Sequence, residues 1–454
     1  MFHGSTDTNG VAIGRLSAAG YDIYISWKDV IVYENYDYAL VNESSESLVA
    51  ECRVYYLTFA LRDAHDISVA NAILTVKLSL TGRILDSGIT DADGICTLRL
   101  PATDMDFTAA WKTVVVNETE DYEITSTATL DVSCSIYYLH IKAVDSLALR
   151  PLPYASFSVY LVDGDLIATG NGNITGECII RLPAESYLIY VSWQNTLVLE
   201  AHPYALIGDD DLTLKCRVYY LTLELVDLKD ESVPLAMVWI KDPRTGQIME
   251  NIATDDTGKV EFRLPVGIYD IYASWYGHMV YTYINYNLTG NITEHIVCDI
   301  YYLHINAVDS REVPLAEAMI SIKSTVTGNT IGVGHSDNNG TAVFRLPRGG
   351  YSITIIWRDS IVYSVEEYIL EGTNADVIET FRCWVYYIAT MVEDDKGIGV
   401  EESTIIVYVM PQAMLFDTYT MDRNGTVTMH LPQGEYNFKV VWRNMVINTT
   451  EYIV

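Results

Sequence analysis

The sequence predicts an all-β protein, a linear tandem array of seven-stranded β-sandwich modules of about 82 residues each. Two residue types mark the repeat. Six tryptophans recur at intervals of 84, 82, 82, 82 and 85 residues: Trp27, Trp111, Trp193, Trp275, Trp357 and Trp442. Five cysteines recur at intervals of 82, 82, 82 and 85 residues: Cys52, Cys134, Cys216, Cys298 and Cys383. A period this long, with strand rather than helix patterning, indicates separate modules in a row instead of a closely wound solenoid.

One copy, residues 216–297, illustrates the module. Alternating side chains and turn residues predict seven strands, at residues 216–227, 237–241, 247–254, 259–264, 268–275, 278–286 and 292–297. A tight turn is predicted at Asp255–Gly258, because Asp and Gly favour that geometry. Seven short strands without a helical stretch predict a sandwich. The last strand runs into the next module without a Gly/Pro/Ser linker, so we expect stiff junctions and a rod.

The cysteines set the predicted module borders. Residues 1–51 form an incomplete module of C-terminal strands only, and residues 383–454 form module 5, which lacks its last strand. The complete modules 1 to 4 cover residues 52–133, 134–215, 216–297 and 298–382. The first copy is expected to hold strands three to seven and the last copy strands one to six. Two explanations stay open: a fragment of a longer array, or sandwiches that neighbouring copies complete by β-strand addition.

Charge and hydropathy restrict the function. The net charge of −32 argues against nucleic acid as a partner, because nucleic-acid binding needs a basic surface. No segment approaches the roughly 18 apolar residues of a membrane span, and the polar start does not resemble a signal peptide. Half of the residues are hydrophobic and 34 are Tyr. This excess either packs on neighbouring copies of the chain or fills the sandwich cores; the sequence leaves both interpretations open.

The turn and the strands around it resemble a known extracellular family. Asp-x-x-Gly, an alternating strand, Leu-Pro-x-Gly-x-Tyr and a second alternating strand are best preserved in residues 255–275, 337–357 and 422–442. This pattern is similar to the carboxypeptidase-regulatory-like and collagen-adhesin B-type repeats. The resemblance implies an Ig-like, prealbumin-like sandwich and a place in stalks, pilus shafts or adhesive surface arrays. Many pilin modules of this kind carry a Lys–Asn isopeptide bond. We expect no systematic one here, on the interpretation that lysines such as Lys77, Lys142 and Lys241 recur at no module position.

Asparagine sequons favour an extracellular glycoprotein. Eight Asn-x-Ser/Thr sequons are candidate N-glycosylation sites: Asn42, Asn117, Asn173, Asn287, Asn291, Asn339, Asn424 and Asn448. N-linked glycans are therefore the expected modification, and the expected location is the cell surface.

The seven cysteines leave two interpretations open. Cys96 and Cys178 each follow their module's border cysteine by 44 residues, so the bridges Cys52–Cys96 and Cys134–Cys178 are conceivable. The simpler interpretation is that border cysteines are small buried apolar residues at the junctions between modules.

No catalytic, metal or cofactor site is predicted. The nine His residues lack Cys/His ligand spacing for zinc, and His140 and His304 each stand alone in an alternating strand. The turns that begin at Asp91 and Asp337 echo the start of a calcium loop, but the closing Glu is absent and a hairpin turn explains them. Asp209-Asp210-Asp211 is predicted to be an exposed acidic loop. No nucleophile–base–acid set recurs, so the protein is not expected to be an enzyme.

Three hypotheses follow. The first is a structural extracellular protein, expected to be archaeal, whose β-sandwich repeats stack into a rod-like fibre, filament or surface-layer array with other copies of itself as partners. The second is the stalk of a cell-surface adhesin with its binding tip outside this chain. The third is an accessory region of a carbohydrate-processing enzyme, which needs a catalytic domain elsewhere.

Overall fold

The computed structural model describes residues 2–41 and 46–454, and within them every regular element is a β-strand. The fold-class prediction is confirmed: the chain is a tandem series of paired sheets with the Ig-like, prealbumin-like sandwich as its unit. The chain divides into two compact units, Met1–Val218 and Tyr219–Val454. Because the described residues contain no α-helix, none of them forms a helix that could cross a bilayer.

Each complete module contains seven strands in two sheets. Module 1 has β3 (Val54–Arg62), β4 (Ile73–Leu78), β5 (Ile84–Ile89), β6 (Ile95–Pro101), β7 (Asp104–Trp111), β8 (Val114–Glu123) and β9 (Ala128–Ser133). Module 2 has β10 (Ile136–Asp145), β11 (Ser156–Leu161), β12 (Leu166–Asn171), β13 (Glu177–Pro183), β14 (Glu185–Trp193), β15 (Thr196–Leu206) and β16 (Asp210–Cys216). In both, strands three, two, five and six form one sheet, and strands four, one and seven form the other.

The second unit repeats this order. Module 3 has β17 (Val218–Val226), β18 (Met237–Lys241), β19 (Ile248–Ala253), β20 (Lys259–Pro265), β21 (Gly267–Trp275), β22 (His278–Leu288) and β23 (Ile292–Val297). Module 4 has β24 (Ile300–Val308), β25 (Met319–Ser324), β26 (Thr330–His335), β27 (Thr341–Pro347), β28 (Gly349–Trp357), β29 (Ser360–Leu370) and β30 (Asp376–Arg382). The seven strands predicted for residues 216–297 are all present.

Strand seven is the only parallel member of its sheet. It lies beside strand one, as β9 beside β3, β16 beside β10, β23 beside β17 and β30 beside β24. The other sheet neighbours with a resolved register are antiparallel, as expected for short connections. Strand one therefore sits in the centre of its sheet and is buried more than the edge strands.

Two local devices fix each module. In the turn at Asp255, the carboxylate Oδ1 accepts the backbone N–H groups of Thr257 (2.8 Å) and Lys259 (3.0 Å). Gly258 follows with φ +79°, and a Cβ there would lie 2.5 Å from the carbonyl oxygen of Leu225, so only glycine fits. Each module also buries one tyrosine whose hydroxyl donates to a proline carbonyl four residues earlier. These tyrosines, which account for part of the Tyr excess, include Tyr187, Tyr269 and Tyr436.

The first copy holds fewer strands than predicted. Its described residues contain only β1 (Ala19–Trp27) and β2 (Val30–Leu40), which correspond to strands five and six. The expectation of strands three to seven is wrong for a topological reason: strands four and seven pair with strand one, and strand three pairs with strand two, neither of which this copy has. Strands five and six persist because they pair with each other.

Module 5 holds the six strands that were predicted. They are β31 (Val385–Met391), β32 (Thr404–Val409), β33 (Met414–Thr420), β34 (Thr426–Pro432), β35 (Glu435–Trp442) and β36 (Met445–Ile453). β31 pairs with β34 alone, and every described residue of β36 is exposed.

The lysine prediction is wrong. Lys77, Lys241 and Lys323 occupy the same place on strand two of modules 1, 3 and 4, opposite Asp106, Asp270 and Ser352 of strand five. The recurrence was missed because their offsets from the border cysteine were not compared. These lysines alternate with fully buried neighbours on the same strands, so they lie on the outer face of the sheet. The family position is on strand one, which these lysines do not occupy.

Candidate inter-module junction

A buried aspartate ends the first strand of several modules. Asp63, Asp227 and Asp309 have fully buried side chains, although each carries a carboxylate. One oxygen of Asp227 accepts the backbone N–H groups of Lys229 (2.8 Å) and Glu231 (3.1 Å), which shapes the following turn. A buried carboxylate also requires a cation or further donors, because its desolvation is costly.

The following module supplies those donors in the first unit. Arg181 of module 2 places its Nη2 2.7 Å from Oδ2 of Asp63 in module 1. The same nitrogen donates to two backbone carbonyls of the turn after Asp63 (3.2 Å each). Tyr138 adds a hydroxyl donor at 3.3 Å, and the guanidinium lies 5.2 Å from the ring centre of Trp111. The four side chains form what we call the clamp, and it joins the two modules without a linker.

The second unit repeats the clamp between modules 3 and 4. Nε of Arg345 donates to Oδ2 of Asp227 at 2.7 Å, the Tyr302 hydroxyl donates to the same atom at 2.8 Å, and the guanidinium lies 5.1 Å from the ring of Trp275. Burial alone would raise the pKa of Asp227, but the hydrogen bonds from Tyr302, the backbone and Arg345 outweigh it and lower that pKa. Burial, with the bond to Asp227, raises the pKa of Tyr302 to about 12. The carboxylate is therefore ionised at neutral pH and the phenol is not.

Between modules 4 and 5 a histidine replaces the arginine. Nε2 of His430 lies 3.0 Å from Oδ2 of Asp309, but the two atoms are poorly aligned for a hydrogen bond. The imidazole stacks on Tyr387 (4.5 Å) and contacts Trp357 (5.1 Å). Burial lowers the pKa of His430 more than the neighbouring carboxylate raises it. This clamp consequently lacks a permanent cation at neutral pH.

Border cysteines close the core of the preceding module. Cys134, Cys216, Cys298 and Cys383 are buried, and each packs there together with the apolar residue two positions later. The N–H of Cys298 donates to the carbonyl of Val226 at 2.7 Å, which extends the parallel pairing across the border. Burial raises the pKa of the Cys134 thiol to about 11 and that of Cys298 to about 12, so both thiols stay protonated. Cys52 differs, because it is exposed.

The two candidate disulfide pairs are not brought together. All seven cysteines are free thiols. Cys96 lies opposite Phe59 on β3, whereas Cys52 precedes Phe59 by seven residues of extended chain, roughly 20 Å away at about 3.3 Å per residue. Cys178 lies opposite Ile141, and Cys134 is again seven residues earlier. Disulfides need Cα atoms within about 7 Å, so both bridges are excluded in this fold.

The sequon asparagines fall into two groups. Exposed asparagines in turns, loops or outer strands are Asn173, Asn287, Asn291, Asn339, Asn424 and Asn448. Asn117 is half-buried on β8, and its Nδ2 donates to the carbonyl of Ser133 on β9 at 3.0 Å. Asn42 lies outside the described residues. Glycan attachment to any of them stays a prediction, and Asn117 is the least accessible of those described.

The calcium-like turns serve the backbone. Oδ1 of Asp91 accepts the N–H groups of Asp93 and Ile95, and Asp337 does the same in module 4. In the acidic loop, Asp209 accepts the N–H of Tyr138 at 2.8 Å and pairs with His65. Across residues 2–41 and 46–454, no group of three or more His, Cys, Asp or Glu residues could hold a metal ion.

A buried histidine lies where module 3 meets module 4. Nε2 of His278 is 2.8 Å from Oγ of Ser324, and the imidazole packs against Tyr351. Gly349 lies directly beneath it, since a Cβ there would be 2.2 Å from Nδ1. Burial lowers the pKa of His278, so the ring is held neutral.

Sequence reasoning missed the clamp. Its aspartates all lie eleven residues after a border cysteine, as Asp63, Asp227, Asp309 and Asp394 show, and its arginines belong to the Arg-Leu-Pro phrase. An acidic residue that recurs at the end of an apolar strand is the signal that pointed to it.

Comparison with known proteins gives no family. No protein-family model matches the chain, and no curated protein matches it. Similar solved structures include the Bacillus anthracis TIE protein (15% identity, 70% of this chain and 72% of that chain, TM-score 0.19). A streptococcal ancillary pilin matches at 13% identity, over 54% of this chain and 99% of that chain, with a TM-score of 0.24. BcpA, the major pilin subunit of Bacillus cereus, matches at 12% identity, over 73% and 99%, with a TM-score of 0.18. At these TM-scores, no functional argument rests on the likeness.

Proposed function

We propose that the chain is a structural, non-enzymatic protein of the cell surface whose modules stack into a stiff extracellular fibre with other copies of itself. The observation that carries the proposal is the clamp. Asp63 with Arg181, and Asp227 with Arg345, spend a buried ion pair on the contact between successive modules. A pair of this kind fixes orientation, because moving either partner leaves a buried charge alone.

The shared cores support the same conclusion. Cys298 and Ile300 lie at the predicted start of module 4, yet both are completely buried in the core of module 3. Bending at this border would pull apolar side chains out of a closed core, at about 25 cal/mol per Å² exposed. Neighbouring modules held in this way transmit tension along the chain, which suits a fibre.

Electron microscopy and light scattering of the purified chain test the proposal. Unbranched rods of uniform length that join into fibres as concentration rises are the expected result. Beads that rotate freely about their borders would contradict stiffness. Stiff rods that remain strictly monomeric at high concentration would contradict the fibre and favour the adhesin stalk.

Mass spectrometry of protein from its native source tests the surface location. We expect N-linked glycan on exposed sequons such as Asn287 and Asn339, since transfer to asparagine takes place outside the cytoplasm. Native protein with every sequon unmodified would remove this support for an extracellular site.

A further inference from the structure

One junction surface of the chain is uncovered. The end face of module 5 consists of Asp394, Trp442 and Ile447, the counterparts of Asp227, Trp275 and Val280 in module 3. Asp394 is exposed, and its second carboxylate oxygen has no partner among the described residues. Ile447 is 46% exposed. Its counterparts that face a following module in the same unit are at most 2% exposed: Val116, Val280 and Val362.

The sheet beside the end face has an open edge. β31 pairs only with β34, whereas strand one of every complete module also has a parallel strand seven on its other side. The edge of β31 consequently presents unpaired backbone N–H and C=O groups, and an extended segment can add to such an edge. Asn448, on the adjoining β36, occupies the place of Asn117, whose amide donates to strand seven. The internal modules thus show what covers this edge: a parallel strand that continues into a further module.

The complementary set lies at the start of module 1. Arg99 and Tyr56 are the counterparts of Arg345 and Tyr302; both are exposed, and neither has a carboxylate partner in the described part of the chain. Residues 46–51 belong to no strand. Their apolar Leu48 and Ala50 alternate with outer positions as Leu130 and Val132 do on β9, which is strand seven of module 1.

We propose that the end face of module 5 docks module 1 of a second copy of this chain. Residues 46–51 of the second copy add to β31 as its parallel strand seven, and the second copy's Arg99 and Tyr56 reach Asp394. The opposite charges of Asp394 and Arg99 form the pair seen inside the chain between Asp227 and Arg345. This inference rests on the proposed fibre and names the contact that builds it.

Docking has one structural requirement. The hairpin of β1 and β2 covers the same surface of module 1: Trp27 lies 5.4 Å from the guanidinium of Arg99, and the N–H of Arg53 donates to the carbonyl of Val32 at 2.7 Å. The hairpin must give way to β35 and β36, its counterparts in module 5. Since Trp442 replaces Trp27 in this exchange, like contacts are traded, while the added strand and ion pair favour assembly.

A pair of neighbouring substitutions separates strand addition from other contacts. Leu48→Asp places a carboxylate in the acceptor core, whereas Val49→Asp alters the adjacent outward position with the same charge change. Leu48 and Val49 are both exposed in the free chain, so neither substitution disturbs its fold, which circular dichroism verifies. In sedimentation velocity over a concentration series, we expect Val49→Asp to assemble like the unaltered chain and Leu48→Asp to associate at least tenfold more weakly. Trp27→Ala, which loosens the competing hairpin, should accelerate assembly.

Cys52 provides a native reporter. It is exposed in the free chain, whereas Cys134, Cys216, Cys298 and Cys383, its counterparts at the other borders, are buried. Docking should protect the Cys52 thiol from a maleimide at least tenfold, as measured by mass spectrometry of the labelled peptide.

The outcomes distinguish this inference from the fibre itself. Oligomers in which Cys52 stays as reactive as in the monomer, or in which Leu48→Asp assembles as well as Val49→Asp, overturn the docking and leave a fibre built through other surfaces. Burial of Asp394 by a further module of the same polypeptide overturns the docking as well. A chain that remains monomeric under every condition overturns both proposals.

Discussion

Replacing Arg345 by methionine tests the clamp most directly. The substitution keeps the length of the side chain and removes its charge, so Asp227 stays buried without its cation. Loss of one partner of a buried pair costs about 3–5 kcal/mol. Arg345 is 25% exposed, and Asp227 keeps Tyr302 and two backbone donors. We therefore expect the lower cost of about 2–3 kcal/mol for this junction.

Hydrogen exchange followed by mass spectrometry measures the effect in the full chain. The backbone N–H groups of Lys229 and Glu231 donate to Asp227, so their exchange reports opening of the junction. A cost of about 2–3 kcal/mol corresponds to exchange that is about 30- to 150-fold faster. Amides in the centre of module 1, in the other unit, should not change and serve as an internal reference.

Arg348→Met is the matched control. Arg348 pairs with Glu371 at 3.3 Å, but both side chains are more than half exposed, so its loss should change exchange by no more than about twofold. A double variant that also carries Asp227→Asn should recover part of the protection, because no buried charge is left over. Equal effects of Arg345→Met and Arg348→Met, or strict additivity in the double variant, would refute the buried ion pair as the source of stability.

Three further predictions concern other positions. His430→Arg should supply the missing cation beside Asp309 and strengthen the junction of modules 4 and 5 by about 1 kcal/mol, seen as slower amide exchange after Asp309; unchanged exchange would contradict this. Burial lowers the pKa of His278, so its contribution to stability is intact above its unfolded pKa of about 6.5 and declines as pH falls below that value. Melting temperatures between pH 8 and 5 should fall less in His278→Gln, and parallel curves would dismiss the histidine as a cause. Gly258→Ala should destabilise module 3 by more than about 2 kcal/mol because of a backbone clash, whereas Gly246→Ala, at φ +70° with open space around it, should cost about 1 kcal/mol; similar melting shifts in the two would argue against the clash.

Local patterns predicted the strands well. The alternation after Cys216 and the turn at Asp255–Gly258 are properties of short segments, and the structure places strands and turn where they were expected. Strands three, four and seven of the first copy failed for the opposite reason, since a strand needs a partner as well as a pattern. The sequence contained their residues, but strands one and two of that copy were missing.

The pairing of residues across modules was beyond the sequence. Arg345 and Asp227 are 118 positions apart, and each looks like an ordinary surface charge in its own strand. Only folding brings the end of strand one in one module against strand four of the next. The cysteines show the same limit: a constant spacing of 44 residues favoured bridges, and the strand register keeps those pairs about 20 Å apart.

By itself, the sequence determined the repeat, the all-β class and the seven-stranded unit, because period, side-chain alternation and turn residues act over a few positions and recur in each copy. The tertiary structure alone decided which charges are buried, which cysteines close a core and which face stays uncovered. Those properties depend on the register between distant strands and on the desolvation that follows when one module packs on the next.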